Sequence, residues 1–381
     1  MIAATRPRPA EELRILVVDG ASGTMRVVPS VDLAALFEPG DLLVVNDAAT
    51  LPASLAGRTT QGDDIELRLV AHIADRRWIG ALFGSGSFRM RTEDRPAPPR
   101  VDVGDRLVFG AGLEAIVEGL RPESPRLLEI QLTVADGDPS LDRIWTALYR
   151  AGRPVQYAHV PEPLALWDVQ NVYAGRPWAV EMPSAGRAIR ARTFIELEER
   201  GVEIASVTHA AGLSSIGDAS LDALLPLPER YEVTERTWEA IARARKRRGR
   251  VVAIGTSVAR ALEGGARDGR RSGVTDLKIG PGTRRAIVDA VLTGVHEADT
   301  SHFALLGAFA KTSVLSRALT RAEEEGLLGH ELGDACLVWG EPRDKMAVHY
   351  GQSVLRVDDP PLSTRRGTEL RSAAGAASAI A

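Results

Sequence analysis

VVAIGTSVARALEGGA (residues 251–266) is the stretch whose reading decides the fold. Val251–Ile254 is an apolar run of strand length, Gly255 allows a tight turn, and VARALEGGA opens a helix. Upstream, TERTWEAIARARKRRG (234–249) begins at the capping hydroxyl of Thr234 and stops at a glycine, which predicts a helix feeding that strand. Before it, FIELEERG (194–201) ends in a helix-stopping glycine and runs into the buried strand VEIASVTH (202–209). Strand–helix–strand order of this kind predicts an α/β main domain (α+β mixed) around a mixed sheet. LRILVVDG (13–20) and GDLLVVND (40–47) supply further apolar strands.

Between them the texture changes. IELRLVAHI, WIGALFG, RLVFG, LEAIVEGL and LEIQLTV follow one another from Ile65 to about Thr133, punctuated by Gly, Pro and Asp. Short β-rich runs at that spacing predict a small antiparallel β-barrel inserted into the main domain. The expected division is a discontinuous main domain over 1–60 and 141–355, a barrel over 61–140, and a disordered tail over 356–381, where the sequence is small, polar and uneven.

The chain has 381 residues, a net charge of −4 and one cysteine, Cys336, which excludes an internal disulfide framework and a cysteine-rich zinc site. No run approaches the roughly 18 apolar residues of a membrane span, and the first residues lack the apolar core of a signal peptide, so a cytoplasmic location with no membrane partner is expected. The seven histidines are scattered without an HExxH motif or a close His/Cys cluster, so no metal is expected. Walker A, GxGxxG and GxSxG signatures are absent, which argues against P-loop, Rossmann and hydrolase readings.

Three features carry candidate chemistry. Gly255, Thr256 and Ser257 lie between strand and helix, where free N–H groups and the helix dipole favour a carboxylate or phosphate, although an ordinary capped joint has the same pattern. Arg260 and Glu263, one turn apart, can pair or both face such a site. Asn46 and Asp47 follow a buried strand, where turn formation competes with function, and Glu66 lies on the opposite face of its strand from Ile65 and Leu67, the face that solvent would take. His209 closes a buried strand, a common place for a functional residue. Residues 243–250, RARKRRGR, fit either phosphate contact or a solvated helix end.

Read in order, several stretches resemble the S-adenosylmethionine:tRNA ribosyltransferase-isomerase family of queuosine biosynthesis. They include GDLLVVND…LPASLAG (40–57), GRPVQY (152–157), DVQNVYAGRPWAVEMPSAG (168–186), GVEIASVTH (201–209), PERYEV (228–233), IGTSVARALE (254–263), IVDAVLTGVH (287–296) and LGDACLV (332–338). The resemblance runs from about Leu13 to Trp339. It implies an α/β domain carrying a small barrel, and S-adenosylmethionine used as a ribosyl donor. A base removes a proton from the ribose 5′ carbon and adenine leaves. The 7-aminomethyl-7-deazaguanine of tRNA attacks the opened sugar, and methionine departs as an epoxide closes. On that basis Gly255, Thr256, Ser257, Arg260, Asp47 and Glu66 are expected to contact the cofactor. His296, His209, Glu229 and Tyr231 are the expected catalytic groups, and 243–250 the expected tRNA contact.

This chain also departs from the family. Arg187–Ala188–Ile189 replaces Leu-His-Phe after Pro183–Gly186, and Leu227 replaces a histidine. Two other readings follow: a paralogue that turns S-adenosylmethionine toward a different small acceptor or merely cleaves it, and a non-catalytic RNA-binding relative.

Overall fold

The computed structural model describes residues 1–137 and 140–341, so the tail expected at 356–381 lies outside the described residues. A nine-stranded mixed sheet runs in the order Ser272–Thr275, Glu229–Val233, Glu203–His209, Leu42–Asn46, Val251–Ile254, Ala290–Gly294, Ala335–Trp339, Arg14–Asp19 and Met25–Pro29. The four strands from Glu203–His209 to Ala290–Gly294 are mutually parallel. Leu42 and Val44 pack one face against Ile241, Val258 and Leu262, while Leu43 and Val45 pack the other against Ala185, Ile189 and Leu197. Coverage of both faces explains why these strands read as continuous apolar runs.

The helices begin where the sequence places their signals. Thr234 Oγ1 accepts from the Thr237 N–H at 3.2 Å and caps helix Glu235–Lys246. Helix Ala191–Glu199 is closed by Gly201 at φ 77°, and helix Thr256–Asp268 follows Gly255 directly.

Six antiparallel strands close into a barrel: Leu127–Val134, Arg77–Phe83, Asp64–Ala74, Ser54–Thr59, Arg106–Phe109 and Leu113–Leu120. The barrel strands therefore start at Ser54, ahead of residue 61. Helix Leu141–Ala151 packs Ile144, Ala147 and Leu148 into the same apolar cluster as the barrel interior. The chain enters and leaves the barrel at one point, where Ser54 and Arg153 exchange backbone hydrogen bonds, both 2.9 Å. The fold is the expected one, a mixed α/β body with an antiparallel barrel inserted after the strand Leu42–Asn46. No helix among the described residues is long and apolar enough to cross a membrane.

Candidate active site

Parallel strands end together, and the crevice beyond their carboxyl ends is where α/β sheets bind ligands. Here that edge carries His209, Asn46, Gly255 and Gly294. Asn46 is fully buried. Its amide donates to the His209 carbonyl at 2.9 Å and lies 3.4 Å from Ser257 Oγ, while its oxygen accepts from the His209 N–H at 2.9 Å and the Ala48 N–H at 3.1 Å. One side chain thus ties two strand ends to the start of helix Thr256–Asp268. Gly255 adopts φ 102°, ψ 151°, a conformation essentially reserved for glycine, and no side chain caps the helix that follows. Thr256 and Ser257, both half-buried, form the first turn, whose N–H groups have no helical acceptor.

Beside that turn is a buried ionic cluster. Arg260 Nη1 donates to Glu229, Arg260 Nε donates to the Leu277 carbonyl at 3.0 Å, and Nη2 is buried without a partner. Glu229 also accepts from the Gly212 N–H at 2.7 Å and lies 3.5 Å from His209 Nε2. Both ring nitrogens of His209 lack a hydrogen-bond partner. Burial pushes His209 down to about 4, against the pull of Glu229 and with the help of Arg260, so its imidazole is neutral near pH 7. His302 feels the same Glu229 and Arg260, but burial dominates and lowers it too. His302 stacks on His296 with ring centroids 4.5 Å apart, and His296 Nε2 meets Thr293 Oγ1 at 2.6 Å. Burial, then His302 and His330, hold His296 well below its ordinary value. The edge therefore holds three neutral imidazoles and one carboxylate–guanidinium pair.

Two further groups are invisible to local motif reading. Tyr157 donates to Glu181, which also accepts from the Ser214 N–H at 2.8 Å and from its hydroxyl. Burial raises the Glu181 carboxyl, partly offset by these hydrogen bonds and reinforced by Glu331. Burial, then the charge of Glu181, also raises Tyr157 well above its ordinary value. Glu181 lies within DVQNVYAGRPWAVEMPSAG, quoted above for the resemblance alone, and its surroundings are built by residues distant in sequence. His302 shows no signal of its own beyond being a histidine.

Several expected site residues are engaged elsewhere. The two carboxylate oxygens of Asp47 accept from Ser206 Oγ at 2.8 Å and Thr208 Oγ1 at 2.6 Å. Glu66 is not solvated. It is buried in the barrel, accepting from Ser54 Oγ at 2.8 Å, Arg68 Nε at 2.7 Å and Arg95. Burial pushes its carboxyl up, but Arg68 and Arg95 outweigh burial and hold it below its ordinary value. Tyr231 shares a strand with Glu229 but packs against Gly265 and Gly273, toward the far end of helix Thr256–Asp268. Glu263 turns from the site and accepts the N–H groups of Ala286, Ile287 and Val288 at 2.7–2.9 Å.

The basic run 243–250 lies at the opposite edge of the sheet, where Val251 begins its strand. Arg243 and Arg247 pair with Glu203, Arg245 with Asp289, and Arg250 with Asp41. A second group of cations lines a groove of about 470 Å³ with Asn171 and Trp167: Arg8 pairs with Asp334 at 3.1 Å, Arg190 lies 3.7 Å from Glu196 and 3.9 Å from Glu11, and Arg187 faces backbone carbonyls. All three guanidiniums have a buried Nε with no hydrogen-bond partner. Arg187 donates only to the carbonyls of Asp168 and Arg8, at 3.0 and 2.8 Å, and burial, then Arg8, lowers it. Trp167 is 79% exposed.

A family model described as queuosine biosynthesis protein matches residues 1–338. The S-adenosylmethionine:tRNA ribosyltransferase-isomerase of Gloeobacter violaceus is 32% identical over 352 residues, covering 88% of this chain and 92% of that protein. The protein of the same name from Sorangium cellulosum is 33% identical over 369 residues, covering 89% and 96%. A solved S-adenosylmethionine tRNA ribosyltransferase from Thermotoga maritima aligns at 23% identity with a TM-score of 0.47, covering 88% of this chain and 96% of that one. With the family model spanning nearly all of the described residues and relatives above 30% identity over most of its length, this chain belongs to the queuosine biosynthesis protein family.

Proposed function

We propose that this chain is an S-adenosylmethionine:tRNA ribosyltransferase-isomerase, an enzyme that moves the ribosyl group of S-adenosylmethionine to 7-aminomethyl-7-deazaguanine in tRNA and releases adenine and methionine. One observation carries the assignment of roles: the glycine turn at 255–257, the Arg260–Glu229 pair and three neutral imidazoles meet at the carboxyl edge of the sheet. The helix start and the unpartnered Arg260 Nη2 suit the methionine carboxylate, since both present donors where water is largely excluded.

Proton transfer needs a group that is unprotonated at working pH and one that can return a proton. His209 and His296 are neutral and can accept. The imidazole that accepts the proton can also return it. Position 227 is leucine, yet His302 supplies an imidazole within the field of Glu229, so this family departure does not leave that neighbourhood without one. The arginine-lined groove, with Trp167 exposed as a stacking platform, is the proposed contact for the tRNA backbone. No specific observation favours a changed acceptor or a non-catalytic role.

The test is incubation of the purified protein with S-adenosylmethionine, with and without tRNA carrying the 7-aminomethyl-7-deazaguanine precursor, assaying adenine, methionine and the modified nucleoside by mass spectrometry. Release that depends on tRNA and yields epoxyqueuosine is the expected result. Release without tRNA, or no release at all, refutes the assignment.

A further inference from the structure

Outside the roles assigned above, three ligand-type side chains converge from two separate loops. His159 Nε2 lies 3.0 Å from a Glu331 oxygen, and the His159 and His330 rings are 4.5 Å apart between centroids. One donor atom from each of the three lies within 4.8 Å of the other two. We propose that His159, His330 and Glu331 form a binding site for one divalent transition-metal ion of the zinc class.

Three observations support this. First, His159 Nε2 is buried and lacks a hydrogen bond of acceptable geometry even though the carboxylate is 3.0 Å away. An imidazole nitrogen and a carboxylate oxygen that close form an ion pair when the ring is protonated, and offer two lone pairs to a shared cation when it is not. Ligand atoms about 2.0–2.1 Å from a tetrahedral ion are separated by roughly 3.3 Å, close to the spacing seen here.

Second, both loops are held by buried polar side chains. Gln156 donates to the carbonyls of Val160 and Glu162, both at 2.7 Å, and accepts from the Leu164 N–H at 2.9 Å, fixing the loop that carries His159. Asp334 accepts from the Leu328 N–H and the Arg14 N–H, both at 2.8 Å, and the Gly333 N–H meets the His330 carbonyl at 3.0 Å, fixing the other.

Third, the donor set is selective. Two imidazoles and one carboxylate suit zinc or another first-row transition ion and disfavour magnesium and calcium, which prefer all-oxygen sites. His330 is exposed, leaving the fourth position open to water or a ligand group. No local spacing announces the trio, because His159 and the His330–Glu331 pair lie far apart in sequence.

The test uses the untagged full chain stripped with a chelator, titrated with zinc chloride by calorimetry and, in parallel, with cobalt(II) by visible absorption. The expected result is one ion per chain, a tetrahedral cobalt spectrum, and loss of more than roughly 100-fold in affinity in both His330→Ala and Glu331→Gln. His330 is exposed, so His330→Ala leaves the fold intact, and circular dichroism checks this. His72→Ala, in the barrel, retains wild-type binding. Absence of zinc uptake by the wild-type protein overturns the proposal, as does binding that persists unchanged in both variants. Neither readout depends on turnover of S-adenosylmethionine, so this proposal and the proposed reaction fail independently.

Discussion

The carboxamide of Asn46 is bonded to both backbone groups of His209, donating to its carbonyl and accepting from its N–H, each at 2.9 Å. The side chain thereby continues the parallel pairing of Leu42–Asn46 with Glu203–His209 one step past the end of the ladder. The same amide reaches Ser257 Oγ, so the position of His209 and the start of helix Thr256–Asp268 are set by one residue. Asn46→Ala removes the acceptor of the buried His209 and Ala48 N–H groups, while the His209 carbonyl keeps the Ala211 N–H at 3.0 Å. The expected cost is about 1–3 kcal/mol in urea unfolding, with a fall in kcat because His209 loses its anchor.

Glu229 and Arg260 are both largely buried and paired with each other, with Arg260 Nη2 left over. Arg260→Met alone strands a buried carboxylate and should cost about 3–5 kcal/mol, whereas the double variant Glu229→Gln/Arg260→Met should recover most of that loss. Denaturant midpoints for the three proteins decide the point. Calorimetry with S-adenosylmethionine should show at least a tenfold loss of affinity in both Arg260 variants, if Arg260 holds the methionine carboxylate.

Stability should depend on pH through His209. The group titrates near 6.5 in the unfolded chain and at about 4 in the folded protein, so between those values the unfolded chain binds more protons. Its contribution is complete above pH 6.5 and is lost as pH falls to 4, amounting to roughly 3 kcal/mol at most. His296 and His302 shift in the same direction and add to the slope. His209→Asn should flatten the dependence of the urea midpoint on pH over this window; an unchanged slope contradicts the buried neutral state of His209.

Gly255→Ala places a Cβ 3.3 Å from Ser257 Oγ in a backbone conformation that only glycine adopts without strain. The expected cost is about 1–3 kcal/mol. Because the strain falls at the helix start, KM for S-adenosylmethionine should rise along with it.

Arg187→Ala should weaken tRNA binding and reduce the slope of log affinity against log salt by about 1. Arg248→Ala, at the opposite edge of the sheet, should change neither. Filter binding over a salt series separates the two surfaces, and the reverse result returns the contact to the basic run.

The strands and their order were readable because apolar runs of four to eight residues bounded by Gly, Pro and Asp leave few alternatives. Asp64–Ala74 misled the reading of one side chain. Alternation assigns Glu66 to solvent only when one face of a strand is open, and here residues Ile65 to Val70 are buried on both faces. Burial then forces the carboxylate to recruit Arg68 and Arg95. Asp47 and Tyr231 were placed by adjacency in sequence, which does not specify whether a side chain reaches the crevice, a neighbouring hydroxyl or the core. His302 and Glu181 escaped notice because the surroundings that mark them form only once Glu229, Ser214 and Tyr157 arrive from other elements.

The paired backbone bonds between Ser54 and Arg153 have a kinetic consequence. Asn46 must find Glu203–His209 across roughly 160 residues, an entropically costly search for a non-local contact. Once the barrel has collapsed and its two ends are joined, the effective separation falls to roughly 60 residues, lowering the closure cost by about 1 kcal/mol. The insertion thus shortens the chain for the sheet that surrounds it, and the carboxyl edge of the parallel strands is expected to assemble after the barrel rather than before.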